Sequence, residues 1–184
     1  MVVGKSTFLK TLVNINKPIS GNIEIGNGLK YAYMSQNEIF EDNKNETIDQ
    51  FFTKYFNKEL ERGVVYTILN NYGINYDKKD VIIQNLSPGE KVRLKLAEFE
   101  INNNNCLILD EVTNHLDIEG IEALEEGIKK FDGTILLVSH DRKLIDNINI
   151  EKELDINSGK IIDKEKELEN SYINKEKYDF DIEL

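Results

Sequence analysis

Two short apolar runs, each followed at once by polar residues, are the clearest feature of the hydrophobic pattern. Residues 106–109 (Cys-Leu-Ile-Leu) lead directly into Asp110 and Glu111, and residues 134–139 carry Ile-Leu-Leu-Val shortly before His140. A short apolar run bounded by polar residues is typical of a strand that is buried on both faces of a parallel sheet. We therefore predict two buried strands whose carboxyl ends carry Asp110, Glu111 and His140.

The rest of the pattern predicts helices and further strands around this sheet. Apolar residues recur at helical spacing in several segments, whereas polar and apolar residues alternate in others. Asn27-Gly28 is a hairpin turn signal, and the alternating Lys and Glu after residue 163 predict a solvated helix or a disordered extension. The first predicted helix begins near residue 5, and the others cover residues 47–56, 59–72, 88–101 and 118–130. The further predicted strands cover residues 22–25, 29–34 and 154–162.

Composition narrows the class of protein. The chain has 184 residues, of which 23 are basic and 34 acidic, giving a net charge of −11. This charge argues against nucleic-acid binding through the overall field, although a local basic patch stays open. No apolar run approaches the roughly 20 residues that span a bilayer, and no signal peptide precedes the first motif. We expect a single cytoplasmic domain without an integral membrane segment.

The single cysteine, Cys106, agrees with that compartment. With one cysteine an internal disulfide is impossible, and its position in an apolar run indicates a buried thiol in a reducing environment. Burial raises the pKa of a thiol, which argues against a catalytic role.

The carboxylates of Asp110 and Glu111 form the first candidate site. In open parallel sheets ligands bind beyond the carboxyl ends of the strands, and neighbouring strand residues point to opposite faces. In a phosphate-loop ATPase the first acid holds Mg²⁺, and the second orients or deprotonates the attacking water. The alternative is a plain strand that ends in solvated acids, and His140 is then a structural residue.

Residues 4–7 (Gly-Lys-Ser-Thr) match the end of a phosphate-binding loop. In such a loop Gly4 lets backbone N–H groups approach the phosphates, Lys5 reaches the β- and γ-phosphate oxygens, and Ser6 binds Mg²⁺. The alternative is an ordinary helix start, because the loop's first glycine and its preceding strand would lie before Met1.

Residues 86–90 (Leu-Ser-Pro-Gly-Glu) mark the start of another helix. Ser87 and Glu90 have the spacing of a capping box, and Pro88 occupies the first helical position. A helix N-terminus with a serine and a glycine also binds anions, so a structural and a functional role are compatible.

The order of these motifs strongly resembles the nucleotide-binding domain of ATP-binding-cassette (ABC) proteins. Each motif alone is modest, but five in order over residues 1–162 make chance a poor explanation. The five are residues 4–7, Gln36, residues 86–90, residues 107–111 and residues 137–140.

Two stretches further resemble the ABC-F branch, whose members act on ribosomes rather than membranes. These are residues 113–117 (Thr-Asn-His-Leu-Asp) and 139–142 (Ser-His-Asp-Arg), and the predicted hairpin at 21–36 also fits. The resemblance implies an α/β P-loop NTPase fold with a parallel core sheet and a helical subdomain at about 41–101. It also implies that the strand before the phosphate loop is missing. The charged tail at 163–184 lies beyond the resemblance.

The resemblance implies a role for each residue near the reacting phosphate. Glu111 is the catalytic base, His140 contacts the γ-phosphate, and Gln36 senses both Mg²⁺ and the attacking water. Mg²⁺ is held by Ser6, Gln36 and Asp110.

It also implies which residues hold ATP. Gly4 and Lys5 bind its phosphates, with Thr7 beside them, and Ser87 and Gly89 contact the γ-phosphate of ATP bound on a facing domain. Asp117 resembles an acid at the interface between cassettes. Two residues depart from the family pattern: Pro88 removes one N–H donor, and Val112 replaces a proline.

The implied function is ATP binding and Mg²⁺-dependent ATP hydrolysis by an ABC-F cassette that pairs with a second cassette and engages the ribosome, with antibiotic resistance as one such role. Two alternatives remain, the ATPase subunit of an ABC transporter and an inactive fragment that retains an interaction role. The sequence looks like the second cassette of a longer protein, cut at the phosphate loop. We therefore expect the 184 residues to bind ATP weakly and to hydrolyse it slowly.

Overall fold

The computed structural model describes residues 4–35, 40–56, 60–114 and 116–164. Gln36, His115 in the stretch 113–117, and the tail from residue 165 onward lie outside the described residues. Helices alternate with parallel strands along the chain, and an antiparallel hairpin comes last. The helices are α1 (Lys5–Leu12), α2 (Ile48–Thr53), α3 (Arg62–Asn71), α4 (Pro88–Ile101), α5 (Ile118–Lys130) and α6 (Arg142–Asn147), the strands are β1 (Tyr31–Ser35), β2 (Cys106–Asp110), β3 (Thr134–Val138), β4 (Lys152–Asp155) and β5 (Lys160–Asp163), and 3₁₀ turns cover Tyr76–Lys78 and Ile83–Asn85.

The described main sheet has three parallel strands in the order β1, β2, β3. Its register pairs Ser35 with Asp110 and Asp110 with Val138, so the three carboxyl ends form one row. β2 is buried over its whole length, which explains its uninterrupted apolar sequence. The predicted parallel α/β fold is confirmed. The predicted full burial of β3 is wrong, because this strand lies at the edge of the described sheet and is partly exposed.

Alternation along β2 divides the core into two parts. Leu107 and Leu109 belong to the main core, which also contains the apolar residues of α4 and α5. Cys106 and Ile108 pack on the opposite face, against α1. The buried thiol predicted at Cys106 is confirmed, and burial raises its pKa. Asp110 continues this second series, so its carboxylate emerges on the α1 side of the sheet.

The strand predicted at residues 22–25 is wrong, since this segment belongs to no sheet within the described ranges. The turn at Asn27-Gly28 does form, with Gly28 at a φ of 96°. Ile25 and Leu29 on either side of it remain exposed. Alternation gives a strand its two faces, but the backbone N–H and C=O groups also need a partner strand.

The C-terminal hairpin of β4 and β5 confirms the strand pair predicted around Asn157–Gly159. β5 extends to Asp163, one residue into the predicted tail. Helix α6 was not predicted, although its signal was present: the Asp141 side chain accepts hydrogen bonds from the Lys143 and Leu144 N–H groups. None of the helices in the described ranges is both long and apolar enough to cross a bilayer.

Helices α4 and α5 approach each other closely because two glycines remove side chains from their contact. A Cβ atom at Gly89 would lie 3.2 Å from the backbone carbonyl carbon of Glu119. One at Gly127 would lie 2.2 Å from Cδ1 of Leu96. These distances fix how the start of α5, which follows the Asp110–Asp117 stretch, sits against the start of α4.

We expect Gly127→Ala to lower the free energy of unfolding by about 1–2 kcal/mol, because overpacking against the Leu96 side chain outweighs a gain in helix propensity of up to about 1 kcal/mol. Gly63→Ala in α3 is the control, since no atom of its described neighbours lies within 4 Å of the position that a Cβ would occupy. Helix propensity makes this control neutral or stabilising by up to about 1 kcal/mol. Urea unfolding followed by circular dichroism measures both. Equal stabilities for the two variants would contradict the close packing described here.

Candidate functional site

The start of α1 and the end of β2 meet at the Asp110 carboxylate. Ser6 Oγ donates a hydrogen bond to Asp110 Oδ1 at 2.7 Å, and Tyr33 Oη donates to Oδ2 at 2.9 Å. Asp110 is only 4 % exposed. Both oxygens of this buried carboxylate therefore have the hydrogen-bond partner that burial requires. This contact places the Gly-Lys-Ser-Thr stretch directly over one of the two acids predicted from the sequence.

The backbone at Gly4 suits the approach of an anion. Gly4 has a φ of 129°, a conformation that residues with a Cβ rarely adopt, and its position at the start of α1 provides no side-chain cap. The backbone N–H groups of the first turn of α1 therefore have no side-chain partner at Gly4. They lie at the positive end of the helix dipole, beside Lys5. Thr7 is exposed, and its carbonyl accepts a hydrogen bond from the Thr11 hydroxyl.

Glu111 turns away from the face that Asp110 uses. Its φ of 53° ends the strand alternation, and its N–H donates to the Val138 carbonyl at 2.8 Å, which fixes the turn against β3. Oε1 of Glu111 lies 3.2 Å from Nε2 of His140. The sequence-based prediction that the two adjacent acids have different surroundings agrees with this geometry.

The second carboxylate oxygen, Oε2 of Glu111, is buried and has no hydrogen-bond partner among the described residues. A buried acceptor without a partner costs roughly 1–3 kcal/mol, and more when it is charged. Native structures keep few such atoms, and a missing ion, water or ligand is a common explanation. The histidine is on the solvent side of this pair, with 72 % of its side chain exposed against 15 % for Glu111.

Hydroxyl groups that the sequence reasoning missed hold the loop around His140. Ser139 Oγ lies 3.4 Å from Thr113 Oγ1 and accepts the Asp141 N–H at 3.0 Å. Tyr33 was missed as well. Its signal was its place on the strand before Gln36, where register alone puts it opposite Ile108 and near Asp110.

Ser87 and Gly89 have structural roles at the start of α4. Ser87 Oγ accepts the Glu90 N–H at 3.2 Å, and Glu90 Oε2 accepts the Ser87 N–H at 2.9 Å, which confirms the predicted capping box. Gly89 is buried against α5. Within the described ranges no hydrogen bond joins Ser87 or Gly89 to the Asp110 carboxylate.

The structure therefore brings together Ser6, Asp110, Glu111 and His140, with Lys5 lining the same cleft as Val138 and Ser139. A serine hydroxyl beside a carboxylate supplies the oxygen ligands that Mg²⁺ prefers. With an uncapped helix N-terminus and an orphaned carboxylate oxygen alongside, the residues present fit a Mg²⁺-bound triphosphate. Fold and site thus define a P-loop type of nucleotide-binding domain.

Comparison with known proteins narrows this class. The family model described as ABC transporter matches residues 3–114. The ATP-binding protein Uup of Buchnera aphidicola is 39% identical over 147 residues, which cover 78% of this chain and 24% of that protein. The probable ATP-binding protein YheS of Escherichia coli K12 is 37% identical over 142 residues, which cover 77% of this chain and 22% of that protein. The chain belongs to the ATP-binding-cassette family, and these curated relatives are ATP-binding proteins of the ABC-F type.

Solved structures agree with the family. The complex of the archaeal ribosomal stalk protein aP1 with the archaeal ribosome recycling factor aABCE1 contains a chain that matches with a TM-score of 0.59 and 28% identity. That match covers 82% of this chain and 29% of the other. The RNase-L Inhibitor matches with a TM-score of 0.57 and 29% identity, covering 79% of this chain and 28% of the other. The chain spans about a quarter of the length of the curated relatives it matches.

The ion pair between Glu90 and Lys78 makes the stability of the start of α4 depend on pH. Hydrogen bonding to the Lys78 ammonium holds the pKa of Glu90 below its ordinary value of 4.5, against a smaller opposing effect of burial. A lowered folded-state pKa stabilises the protein above about pH 4.5, and this contribution disappears as the pH falls through the folded-state pKa.

We expect Glu90→Gln to keep the capping box, because glutamine can accept the same N–H, while it removes the charge. The variant should lose about 0.5–1 kcal/mol of unfolding free energy at pH 7, a modest value because both side chains are partly exposed. As the pH falls below 4.5 the difference in stability between the two proteins should shrink, because Glu90 becomes protonated. Urea unfolding at several pH values measures this, and a deficit that does not shrink in acid would show that lost capping, not lost charge, is responsible.

Proposed function

We propose that this chain is an ATPase module of ABC-F type that hydrolyses ATP with Mg²⁺ and acts on the ribosome. One observation carries the proposal: Ser6 meets Asp110, and Glu111 meets His140, at the same carboxyl edge of the sheet. Two sequence segments separated by 104 positions converge there on the oxygen and nitrogen groups that phosphate chemistry needs.

The phosphates of ATP would bind at the start of α1. The free N–H groups of its first turn and the Lys5 ammonium would hold the β- and γ-phosphate oxygens, and Gly4 leaves room for them. Ser6 and Asp110 would hold Mg²⁺, with Gln36 as a further ligand. When bound, the metal ion would neutralise phosphate charge and fix the geometry of the γ-phosphate.

Glu111 would act as the general base. Its carboxylate lies 3.2 Å from His140 Nε2 at the carboxyl edge of the sheet, where it would accept a proton from the attacking water. The backbone bond from Glu111 to Val138 holds this carboxylate in place, and His140, more exposed than its partner, would reach the γ-phosphate.

The remaining predicted residues suit a second cassette rather than ATP on the same chain. Ser87 and Gly89 lie at the start of α4 and take no part in the hydrogen bonds of the Asp110 carboxylate. They would therefore contact the γ-phosphate of an ATP molecule that a facing domain binds. In this arrangement residues 1–162 form the ATP-binding domain, with a helical subdomain at about 41–101, and residues 163–184 are a tail.

A ribosomal role is supported by the ABC-F type of the curated relatives and by a solved neighbour described as a ribosome recycling factor. It would place the protein in the cytoplasm. The alternative, an ATPase subunit that docks on a membrane transporter, is favoured by the matching family description.

We expect weak but saturable binding of ATP by the 184-residue chain in isothermal titration calorimetry. Lys5→Ala should weaken this binding further, by roughly tenfold or more, because a phosphate contact is lost. Lys10→Ala, in the last turn of the same helix, is the matched control and should bind as the unaltered chain does. Glu111→Gln should retain binding but lose about 100-fold or more of any hydrolysis, as expected for removal of a general base. Equal binding by Lys5→Ala and Lys10→Ala would contradict the proposed phosphate site.

Partner choice is tested separately by centrifugation. More of the Glu111→Gln variant should pellet with purified ribosomes when ATP is present than when ADP is present. The variant should not pellet with membrane vesicles from the same cell extract. Nucleotide-dependent pelleting with vesicles alone would favour the transporter alternative. Pelleting with neither would contradict the ribosomal role while leaving the ATP-binding result intact.

A further inference from the structure

The side chain of Tyr33 connects the middle of β1 to the carboxylate at the end of β2. The sheet register places Tyr33 opposite Ile108, two residues before Asp110. Two residues of a strand advance roughly 7 Å, so only a long side chain reaches that carboxylate from this position. The Tyr33 hydroxyl donates a hydrogen bond to Asp110 Oδ2 at 2.9 Å. The contact therefore requires both this register and a side chain of this length.

The ring of Tyr33 is held by packing on the face of the sheet that carries α1. Together with Tyr31, it packs against one cluster of buried residues, which are Leu9, Val13, Cys106 and Ile108. A tyrosine side chain has two torsion angles, so a packed ring loses little further freedom when its hydroxyl makes a hydrogen bond. The hydroxyl oxygen lies on the axis of the ring, and fixing the ring therefore fixes the oxygen beside Asp110.

The two oxygens of the Asp110 carboxylate have donors on different elements. Oδ1 accepts a hydrogen bond from Ser6 at the start of α1, whereas Oδ2 accepts one from Tyr33 on β1. The terminal torsion of an aspartate is broad, and two donors in different directions restrict its rotation. Both donors are uncharged hydroxyls, so the carboxylate retains the negative charge and the lone pairs that a hard divalent cation requires.

We propose that Tyr33 is a positioning residue of the Mg²⁺ site, whose hydroxyl holds Asp110 Oδ2 and thereby keeps Oδ1 directed at Ser6. In this role Tyr33 acts through Asp110 and does not itself contact the metal ion or the phosphates. Groups that orient a metal ligand from outside the coordination shell affect metal affinity strongly. The inference rests on the proposed function, because it names a residue that orders the metal ligands of that same site.

The test compares Tyr33→Phe with Tyr31→Phe as a matched control. Each substitution removes one hydroxyl and keeps the ring, and both rings pack against the same cluster. Tyr31 Oη donates to the Val13 carbonyl at 3.2 Å and takes no part in the hydrogen bonds of the Asp110 carboxylate. Isothermal titration calorimetry with ATP, in EDTA and at a series of Mg²⁺ concentrations, measures how strongly ATP binding depends on the metal ion in each variant.

We expect Tyr33→Phe to raise the Mg²⁺ concentration that gives half of the metal-dependent gain in ATP affinity by roughly tenfold, because the carboxylate is no longer held in place. ATP affinity in EDTA should stay unchanged, since the proposed phosphate contacts of Gly4 and Lys5 do not involve Asp110. Tyr31→Phe should show the Mg²⁺ dependence of the unaltered chain. A merely structural role of Tyr33 would instead weaken ATP binding equally in EDTA and in Mg²⁺.

A second measurement needs no nucleotide. Because Ser6 and Tyr33 hold the same carboxylate, the effects of Ser6→Ala and Tyr33→Phe on the urea midpoint should depart from additivity. This departure should be larger than that between Ser6→Ala and Tyr31→Phe. The same unfolding curves show that each variant is folded.

The outcomes separate this inference from the proposed function. Equal Mg²⁺ dependence of Tyr33→Phe and Tyr31→Phe, a lower Mg²⁺ requirement in Tyr33→Phe, or equal coupling of both to Ser6→Ala would overturn the role of Tyr33 and leave the ATP site intact. ATP binding by the unaltered chain that does not respond to Mg²⁺ would contradict the metal site itself, and the inference with it.

Discussion

The hydrogen bond from Ser6 to Asp110 joins the first described helix to the central strand, and the rest of the site depends on it. α1 has a single buried residue, Leu9, so apolar packing alone attaches this helix to the sheet through a small contact. The 2.7 Å contact, with Tyr33 on the other carboxylate oxygen, fixes which end of α1 lies over the strand ends. It thereby sets where an anion can meet the helix N-terminus.

A second constraint operates one residue further on. Had the strand continued, Glu111 would have entered the main core between the helices, as Leu107 and Leu109 do. Its positive φ and its bond to Val138 bring it instead toward β3 and His140. The energetic cost of that backbone conformation, and of the unpartnered Oε2, is the kind of local strain that proteins retain at functional sites. Two neighbouring carboxylates thus occupy different surroundings within one short turn.

The sequence alone predicted an element correctly where the residues of that element meet every physical requirement for forming it. The apolar run before Asp110 predicted a buried parallel strand because such burial needs nothing else, and Ser87 with Glu90 predicted a helix start because a cap is local. The prediction of a strand at 22–25 was wrong because a strand also needs a partner strand, which its own sequence does not specify. Tyr33 was missed for a related reason: which hydroxyl reaches a carboxylate on the next strand is decided by register, and register is a property of the assembled sheet.

β3 links the sheet to the site, because the loop that follows it carries His140. The bond from Thr134 N–H to Asn105 and the bond from Glu111 N–H to the Val138 carbonyl hold the two ends of β3 on the β2 side. Ser139 follows directly, and its hydroxyl lies near Thr113 and accepts the Asp141 N–H. The position of His140 relative to Glu111 therefore depends on how β2 and β3 pair, because the same short stretch of backbone serves both the sheet and the site.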